Sequence, residues 1–286
     1  MAALKTQFDL DLERIILMGL QEDVGSGDHS SLACIPSYNT GAAKLLVKER
    51  GVIAGVDFAK KLCETVDSKL KIDVLIADGT PVSLGDAVFI VKGPSLSLLK
   101  VERLMLNTMQ RMSAIATKTR HFTDLIDGTG TKLLDTRKTT PGIRLLEKWA
   151  VRIGGGYNHR FGLYDMIMLK DNHIDFAGGI HQAIEKTKDY LKTNGLNLDI
   201  IVEVRNFEEI EAVLQHEGVK RILIDNFSVD DTKVAVGLID GQCETESSGN
   251  ISENTIAQYA ACGVDYISIG AITHSVHNLD LSFKAF

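Results

Sequence analysis

The sequence predicts an α/β protein, an incomplete α/β barrel preceded by a small N-terminal α+β unit. From Thr131 onward, short apolar or β-branched runs alternate with amphipathic helical patterns, the mark of βα units and a parallel sheet. Each run closes on a polar or small residue, at Arg137, Lys170, Glu203, Asp225, Ser247 and Gly270, with intervals of 33, 33, 22, 22 and 23 residues. The first hundred residues lack that alternation and mix the two patterns. Six units are visible, short of the eight of a closed barrel. A doubly wound open sheet is the alternative architecture.

Taken in order, residues 8–20 read as a helix, 42–49 as a strand, 56–69 as a helix, and 71–77 and 87–92 as strands. Asp78-Gly79 and Gly93-Pro94 supply turns between them. From Ser97 to Ile126 the apolar positions Val101, Met105, Met109, Met112, Ile115, Phe122 and Ile126 recur at three- and four-residue spacing, which predicts one long helix. Thr139, Thr140 and Pro141 read as a helix start, where Thr caps and Pro suits the first turn. Gly154-Gly155-Gly156 reads as the end of that helix and a tight turn. The resulting divisions are an α+β unit over 1–110, a barrel over 111–274 and a tail over 275–286.

Composition narrows the function classes. The 286-residue chain carries a net charge of −7, which disfavours general binding to nucleic acid or anionic membranes. No apolar run reaches the length of a membrane span. The N-terminal stretch lacks the layout of a signal peptide. Cys34, Cys63, Cys243 and Cys262 are scattered without a CxxC pair, so neither a zinc knuckle nor a disulfide framework is indicated. A reducing cytoplasm is the expected compartment.

Against this acidic background, residues 135–173 invert the sign. They hold Arg137, Lys138, Arg144, Lys148, Arg152, His159, Arg160, Lys170 and His173 against four acids. Arg144, Lys148 and Arg152 fall inside the predicted helix and read as a solvated face. Arg137, Lys138 and Lys170 follow strands, at the rim where barrel active sites form, and suit a small polyanion. Glu203 and Asp225 close neighbouring strands and could hold a divalent cation, ribose hydroxyls or both; ordinary helix caps are the plainer reading. Ser247-Ser248-Gly249-Asn250 and Ser268-Ile269-Gly270 end the last two strands, where small residues and helix starts form phosphate sites. His159, His173 and His274 lack zinc-ligand spacing.

Longer strings carry a family resemblance. EDVGSGDHS (22–30), DTRKTTPGIRLLEKWAV (135–151), GGGYNHRFGLYDMIMLKDNHI (154–174), ESSGNI (246–251) and GVDYISIGAITHS (263–275) resemble quinolinate phosphoribosyltransferases, in that family's order. The resemblance implies the conversion of quinolinate and phosphoribosyl pyrophosphate to nicotinate mononucleotide, pyrophosphate and carbon dioxide, in NAD biosynthesis, with Mg²⁺. It implies an incomplete α/β barrel with an N-terminal α+β sandwich domain on which the C-terminal tail packs, and a homodimer in which the sandwich of one subunit covers the partner's barrel. Arg137, His159, Arg160 and Lys170 are then expected to bind quinolinate, with Arg103 supplied by the neighbouring subunit. Lys138 is expected at the pyrophosphate, Glu203 and Asp225 at the ribose and metal, and Ser248, Gly249 and Gly270 at the 5′-phosphate. The chain departs from the family at Ile201 and Arg205, which flank Glu203, and at Asn250, where a second glycine is usual. Competing readings are a ModD-like paralogue of the same fold, a Schiff-base aldolase using Lys170, and a non-catalytic binding protein.

Overall fold

The computed structural model describes residues 6–286; the sequence reading of the N-terminal stretch falls in part on residues 1–5, outside the described residues. In chain order, α1 (Gln7–Val24), α2 (His29–Cys34), β1 (Thr40–Val47), β2 (Gly51–Val52), α3 (Val56–Val66), β3 (Lys71–Val74), β4 (Pro81–Val82) and β5 (Ala87–Pro94) precede the long helix α4 (Ser95–Leu125). There follow β6 (Lys132–Leu134), α5 (Arg144–Ile153), β7 (Ile167–Leu169), α6 (Asp171–Ala177), α7 (Ile180–Asn194), β8 (Ile200–Val204) and α8 (Phe207–Leu214). The chain ends with β9 (Val219–Asp225), α9 (Val229–Ile239), β10 (Glu244–Ser248), α10 (Ile256–Ala260), β11 (Tyr266–Ser268), α11 (Ala271–His274) and β12 (Leu281–Ala285). Two compact units interleave along it. One holds the chain up to Arg120, Thr139–Gly155 and Ala271–Phe286; the other holds His121–Lys138 and Gly156–Gly270.

The first unit is built on the antiparallel sheet β12-β1-β5-β3. Strand β1 alternates, burying Ala43, Leu45 and Val47, as a half-covered strand should. The C-terminal β12 pairs with it, Leu45 opposite Phe283. Helix α4 buries Met105, Met109, Met112 and Ile115 on one stripe. Its Ser113 and Thr117 hydroxyls accept the backbone N–H groups of Ala54 and Val52 at 2.9 and 2.8 Å, which satisfies donors that no strand reaches. Gly154 ends α5 as expected, and it must be small: a Cβ there would lie 2.6 Å from the Ala116 carbonyl oxygen.

Two expectations fail in this unit. Helix α5 starts at Arg144, after a Pro141-Gly142 turn, and Thr140 does not cap it. Instead the buried Glu147 carboxylate takes the Thr140 N–H at 3.0 Å, the Thr140 hydroxyl at 2.8 Å, and Arg111 Nε and Nη2 at 3.0 and 2.9 Å. A tertiary partner has captured the groups that local capping would have used. Lys148 is not on a solvated face either; it is buried, whereas Arg152 on the same helix is exposed.

In the second unit, six parallel strands run in the order β6-β11-β10-β9-β8-β7. This is chain order, cyclically shifted. The first strand lies beside the last, so the sheet must curl until its ends meet, as in a barrel. A doubly wound sheet would instead reverse strand order at a switch point. The break falls between β6 and β7, where Tyr157 forms an isolated parallel bridge to Leu134. Period two sorts the side chains. Ile200, Val202, Val204, Ile222 and Ile224 join the helix-covered core, while Met168, Ile201 and Leu223 form a separate inner cluster. β8 is buried along its whole length, as a strand covered on both faces should be.

Candidate active site

The inner cluster dictates what stands at the rim. Two residues beyond Met168, Ile201 and Leu223, on the same face, come Lys170, Glu203 and Asp225; on β10 the same step leads from Glu246 to Ser248. The strand therefore closes on Ser248, which pairs in register with Asp225, and not on the buried Ser247. Lys170 Nζ is hydrogen-bonded to Glu203 across β7 and β8. Asp225 accepts from Asn226 Nδ2 at 2.6 Å. Neither acid is a helix cap, because Asn206 caps α8 and Ser228 caps α9.

The turn after β10 is held by asparagines. Asn226 N–H donates to Ser248 O at 2.9 Å, and Asn250 Nδ2 donates to Asn226 Oδ1 at 3.0 Å. Asn226 and Asn250 both take positive φ, 59° and 51°, a conformation Asn tolerates better than most residues. Asn250 thus supplies the left-handed backbone that a second glycine would. Gly249 has no substitute: its φ is +90°, and a Cβ would sit 2.2 Å from Asn226 Oδ1. Gly270 follows β11, which lies beside β10.

Basic groups gather at the break in the sheet. Arg137 and Lys138 follow β6 and are exposed. The segment leading from Tyr157 to β7 carries His159 and Arg160, both buried. Asp135, fully buried, clamps it, accepting the His159 N–H at 2.8 Å and Asn158 Nδ2 at 2.6 Å. Arg160 is 8 % exposed, yet among the described residues its guanidinium donates one hydrogen bond, a long one of 3.3 Å to Met166 O. Burial and the neighbouring Arg137 charge push its pKa down, against the pull of Asp165. A desolvated donor fork with a second cation beside it is a site for a carboxylate or phosphate.

Behind the rim lies a charged cluster that the sequence reading missed. Glu246, fully buried on β10, accepts Arg221 Nη1 at 2.9 Å and lies 3.3 Å from His159 Nε2. Arg221 also donates to Glu244 at 3.1 and 2.9 Å and stacks on Tyr266, its Cζ 3.7 Å from the ring centre. Arg205 turns away from the rim and ties Asp175 on α6 to Glu209 on α8. Arg103 is exposed on α4, in the first unit. Among the described residues no three His, Cys, Asp or Glu side chains cluster as metal ligands.

Comparison with known proteins agrees with this geometry. Residues 28–113 match the family described as quinolinate phosphoribosyl transferase, N-terminal domain, and residues 115–284 match its C-terminal domain. A chloroplastic nicotinate-nucleotide pyrophosphorylase [carboxylating] of Arabidopsis thaliana is 44% identical over 96% of this chain and 82% of its own length. A probable nicotinate-nucleotide pyrophosphorylase [carboxylating] of Bacillus subtilis is 38% identical over 96% of this chain and 93% of its own. The solved nicotinate-nucleotide pyrophosphorylase of Francisella tularensis superposes with a TM-score of 0.90 at 38% identity, covering 99% of this chain and 98% of that one. With both family domains matched in order and the curled sheet reproduced, the chain belongs to the quinolinate phosphoribosyltransferase family.

Proposed function

We propose that the chain transfers the phosphoribosyl group of phosphoribosyl pyrophosphate to quinolinate, releasing pyrophosphate and carbon dioxide and forming nicotinate mononucleotide for NAD biosynthesis. The observation that carries this reading is Arg160, a buried guanidinium beside Arg137 with one long hydrogen bond to protein. Quinolinate is a dianion. We assign its carboxylates to Arg160, Arg137 and Lys170, in a pocket that His159 also lines, and Arg103 of a partner subunit completes it.

The quinolinate nitrogen attacks C1 of the ribose. The C1–O bond breaks, and its electron pair leaves on pyrophosphate beside Lys138, whose charge offsets the charge that develops there. Glu203 and Asp225 face the ribose as C1 becomes cationic. Ser248, Gly249 and Gly270 hold the 5′-phosphate through hydroxyl and backbone donors. The ribosylated ring nitrogen is now cationic. The bond from C2 to its carboxylate breaks, carbon dioxide leaves, and the electron pair stays on C2 until a proton arrives. The ring nitrogen stabilises that pair, so no organic cofactor is needed. The paired rim carboxylates fit Mg²⁺, which is held by one or two carboxylates together with substrate phosphate oxygens. Glu203 and Asp225 are the residues that would hold it, and when bound it supplies positive charge to the leaving pyrophosphate.

Lys170 does not resemble a Schiff-base nucleophile, which is activated by desolvation. Its side chain is 42% exposed and paired with a carboxylate. Among the described residues no helix is long and apolar enough to cross a membrane, and the four cysteines are free. We place the enzyme in the cytoplasm as a homodimer. The decisive assay is carbon dioxide release requiring both quinolinate and phosphoribosyl pyrophosphate. Arg160→Ala should lower it by orders of magnitude through a raised KM for quinolinate, and Arg205→Ala should not. Release that needs only one substrate, or is undiminished in Arg160→Ala, refutes the assignment.

A further inference from the structure

The buried cluster behind the rim has chemistry that the proposed mechanism leaves unused. The His159 ring is hydrogen-bonded at Nδ1 and stands beside a carboxylate at Nε2. Nδ1 accepts the backbone N–H of Arg160 at 2.7 Å, and Nε2 lies 3.3 Å from Glu246 Oε2. A ring nitrogen that accepts a hydrogen bond carries no proton. The ring proton therefore sits on Nε2, which lies beside the Glu246 carboxylate without a completed hydrogen bond to it, and the imidazole is neutral. His159 then adds no positive charge to the pocket. What it does is fix the backbone of the next residue, Arg160, from the other side of the ring.

Glu246 is equipped to hold that tautomer. The same oxygen, Oε2, takes Arg221 Nη1 at 2.9 Å. The ion pair with Arg221, in full burial, keeps the Glu246 carboxyl ionised. Arg221 is itself pinned by Glu244 and by stacking on Tyr266. The acceptor for the His159 proton is thus fixed from strands β9, β10 and β11 together.

We propose that Glu246 is a positioning residue of the quinolinate pocket: it holds His159 as the neutral Nε2–H imidazole, whose Nδ1 anchors the Arg160 backbone and so sets where the Arg160 guanidinium stands. This rests on the assignment of Arg160 to quinolinate. It makes specificity depend on a residue that touches no substrate. In the alternative, His159 is an imidazolium that itself binds a quinolinate carboxylate, and Nδ1 then cannot accept from Arg160.

Two measurements on the full-length enzyme decide. The first is the long-range proton–nitrogen spectrum of wild-type enzyme labelled with ¹⁵N-histidine, His159 being assigned by its loss in His159→Gln. The neutral Nε2–H pattern, unchanged by quinolinate, is expected near neutral pH. An imidazolium or an Nδ1–H tautomer overturns the proposal, whatever the variants do. The second is steady-state kinetics of Glu246→Gln, which keeps shape and removes charge. The KM for quinolinate should rise about tenfold or more, the scale expected when a binding group is misplaced, with the KM for phosphoribosyl pyrophosphate unchanged. A merely structural role would lower thermal stability and the active fraction and leave both KM values alone, which overturns it. Arg160→Ala separates the two levels. If its quinolinate KM is normal, the pocket assignment fails and the role of Glu246 with it. If that KM rises while the Glu246→Gln KM does not, only the role of Glu246 is lost.

Discussion

Nicotinate, which lacks the carboxylate next to the ring nitrogen, tests the quinolinate pocket without altering the protein. Arg160 is 8 % exposed and donates one 3.3 Å hydrogen bond to a carbonyl, so its other donors depend on ligand for partners. A planar guanidinium meets a carboxylate through two parallel hydrogen bonds. Nicotinate leaves that pair unmade at a site where water is largely excluded. Hydrogen bonds to charged groups are each worth about 1.5–3 kcal/mol, so two lost bonds amount to about 3–6 kcal/mol. At about 1.4 kcal/mol per factor of ten, kcat/KM for nicotinate should lie roughly 10²–10⁴-fold below that for quinolinate. Pyrophosphate release is the assay, because nicotinate has no carboxylate to lose as carbon dioxide. Arg160→Ala should reduce turnover of quinolinate by a similar factor and narrow the gap between the two acids. A gap below tenfold in the wild-type enzyme, or one that Arg160→Ala leaves intact, refutes the assignment.

Gly249→Ala should raise the KM for phosphoribosyl pyrophosphate and spare that for quinolinate, since a Cβ at φ +90° collides with Asn226; unchanged kinetics would remove this turn from the phosphate site. Activity should need Mg²⁺ or Mn²⁺ and not zinc, the acceptors being carboxylates and phosphates, so full rate after exhaustive chelation contradicts the roles of Glu203 and Asp225. Arg103→Ala and Lys138→Ala should each be nearly inactive alone. Co-expressed, they should recover roughly a quarter of wild-type activity, because half the randomly paired dimers have one intact site of two; no recovery in confirmed mixed dimers means Arg103 does not act in trans. Glu147→Ala should cost about 3–5 kcal/mol in denaturant unfolding, as expected when a buried ion pair loses one partner. A loss below about 1 kcal/mol would show that the network of Glu147 with Arg111 and Thr140 contributes little.

Much of this site was legible because period two and parallel strands project chain position onto space. Lys170, Glu203 and Asp225 sit at the strand ends where the alternation places them, each two residues past a buried inner neighbour. Ser247 was one residue short for the same reason: a one-residue shift changes face, and Ser248 is the rim residue. Glu246 and Arg221 were invisible because a buried charge in a strand has no periodic signature; it is indistinguishable from a solvated one until its partner on the next strand is known. Asp135 was counted among the acids, but its grip on residues 158 and 159 spans more than twenty positions of chain. The start of α5 was misplaced because Thr140 and Pro141 carry every local sign of a cap, and only Glu147 turning back on Thr140 overrules them. Local rules describe a segment alone and fail where a buried charge outbids them.

Strand order shows where an acidic chain places its cations along the rim. Read across the sheet, the strand ends bear Arg137 and Lys138, then Gly270, then Ser248 and Gly249, then Asp225, then Glu203, and last Lys170. The cations stand at the two ends of this series, and curling brings those ends to either side of the break where Arg160 lies. On the proposed assignment residues 33 apart in sequence thereby serve one substrate, while the acids and small residues occupy the rest of the rim. On the proposed assignment, phosphoribosyl pyrophosphate lies along that remaining arc, its 5′-phosphate at β10 and β11 and its ribose at β9 and β8. Quinolinate sits at the break. The two substrates then meet where the series passes from Glu203 to Lys170, and their hydrogen bond across that step joins the acid that faces the sugar to the cation that faces the acceptor. Substituting either one should therefore disturb the binding of both substrates, whereas Arg160, at the break, and Gly249, in the turn after β10, should each disturb only one.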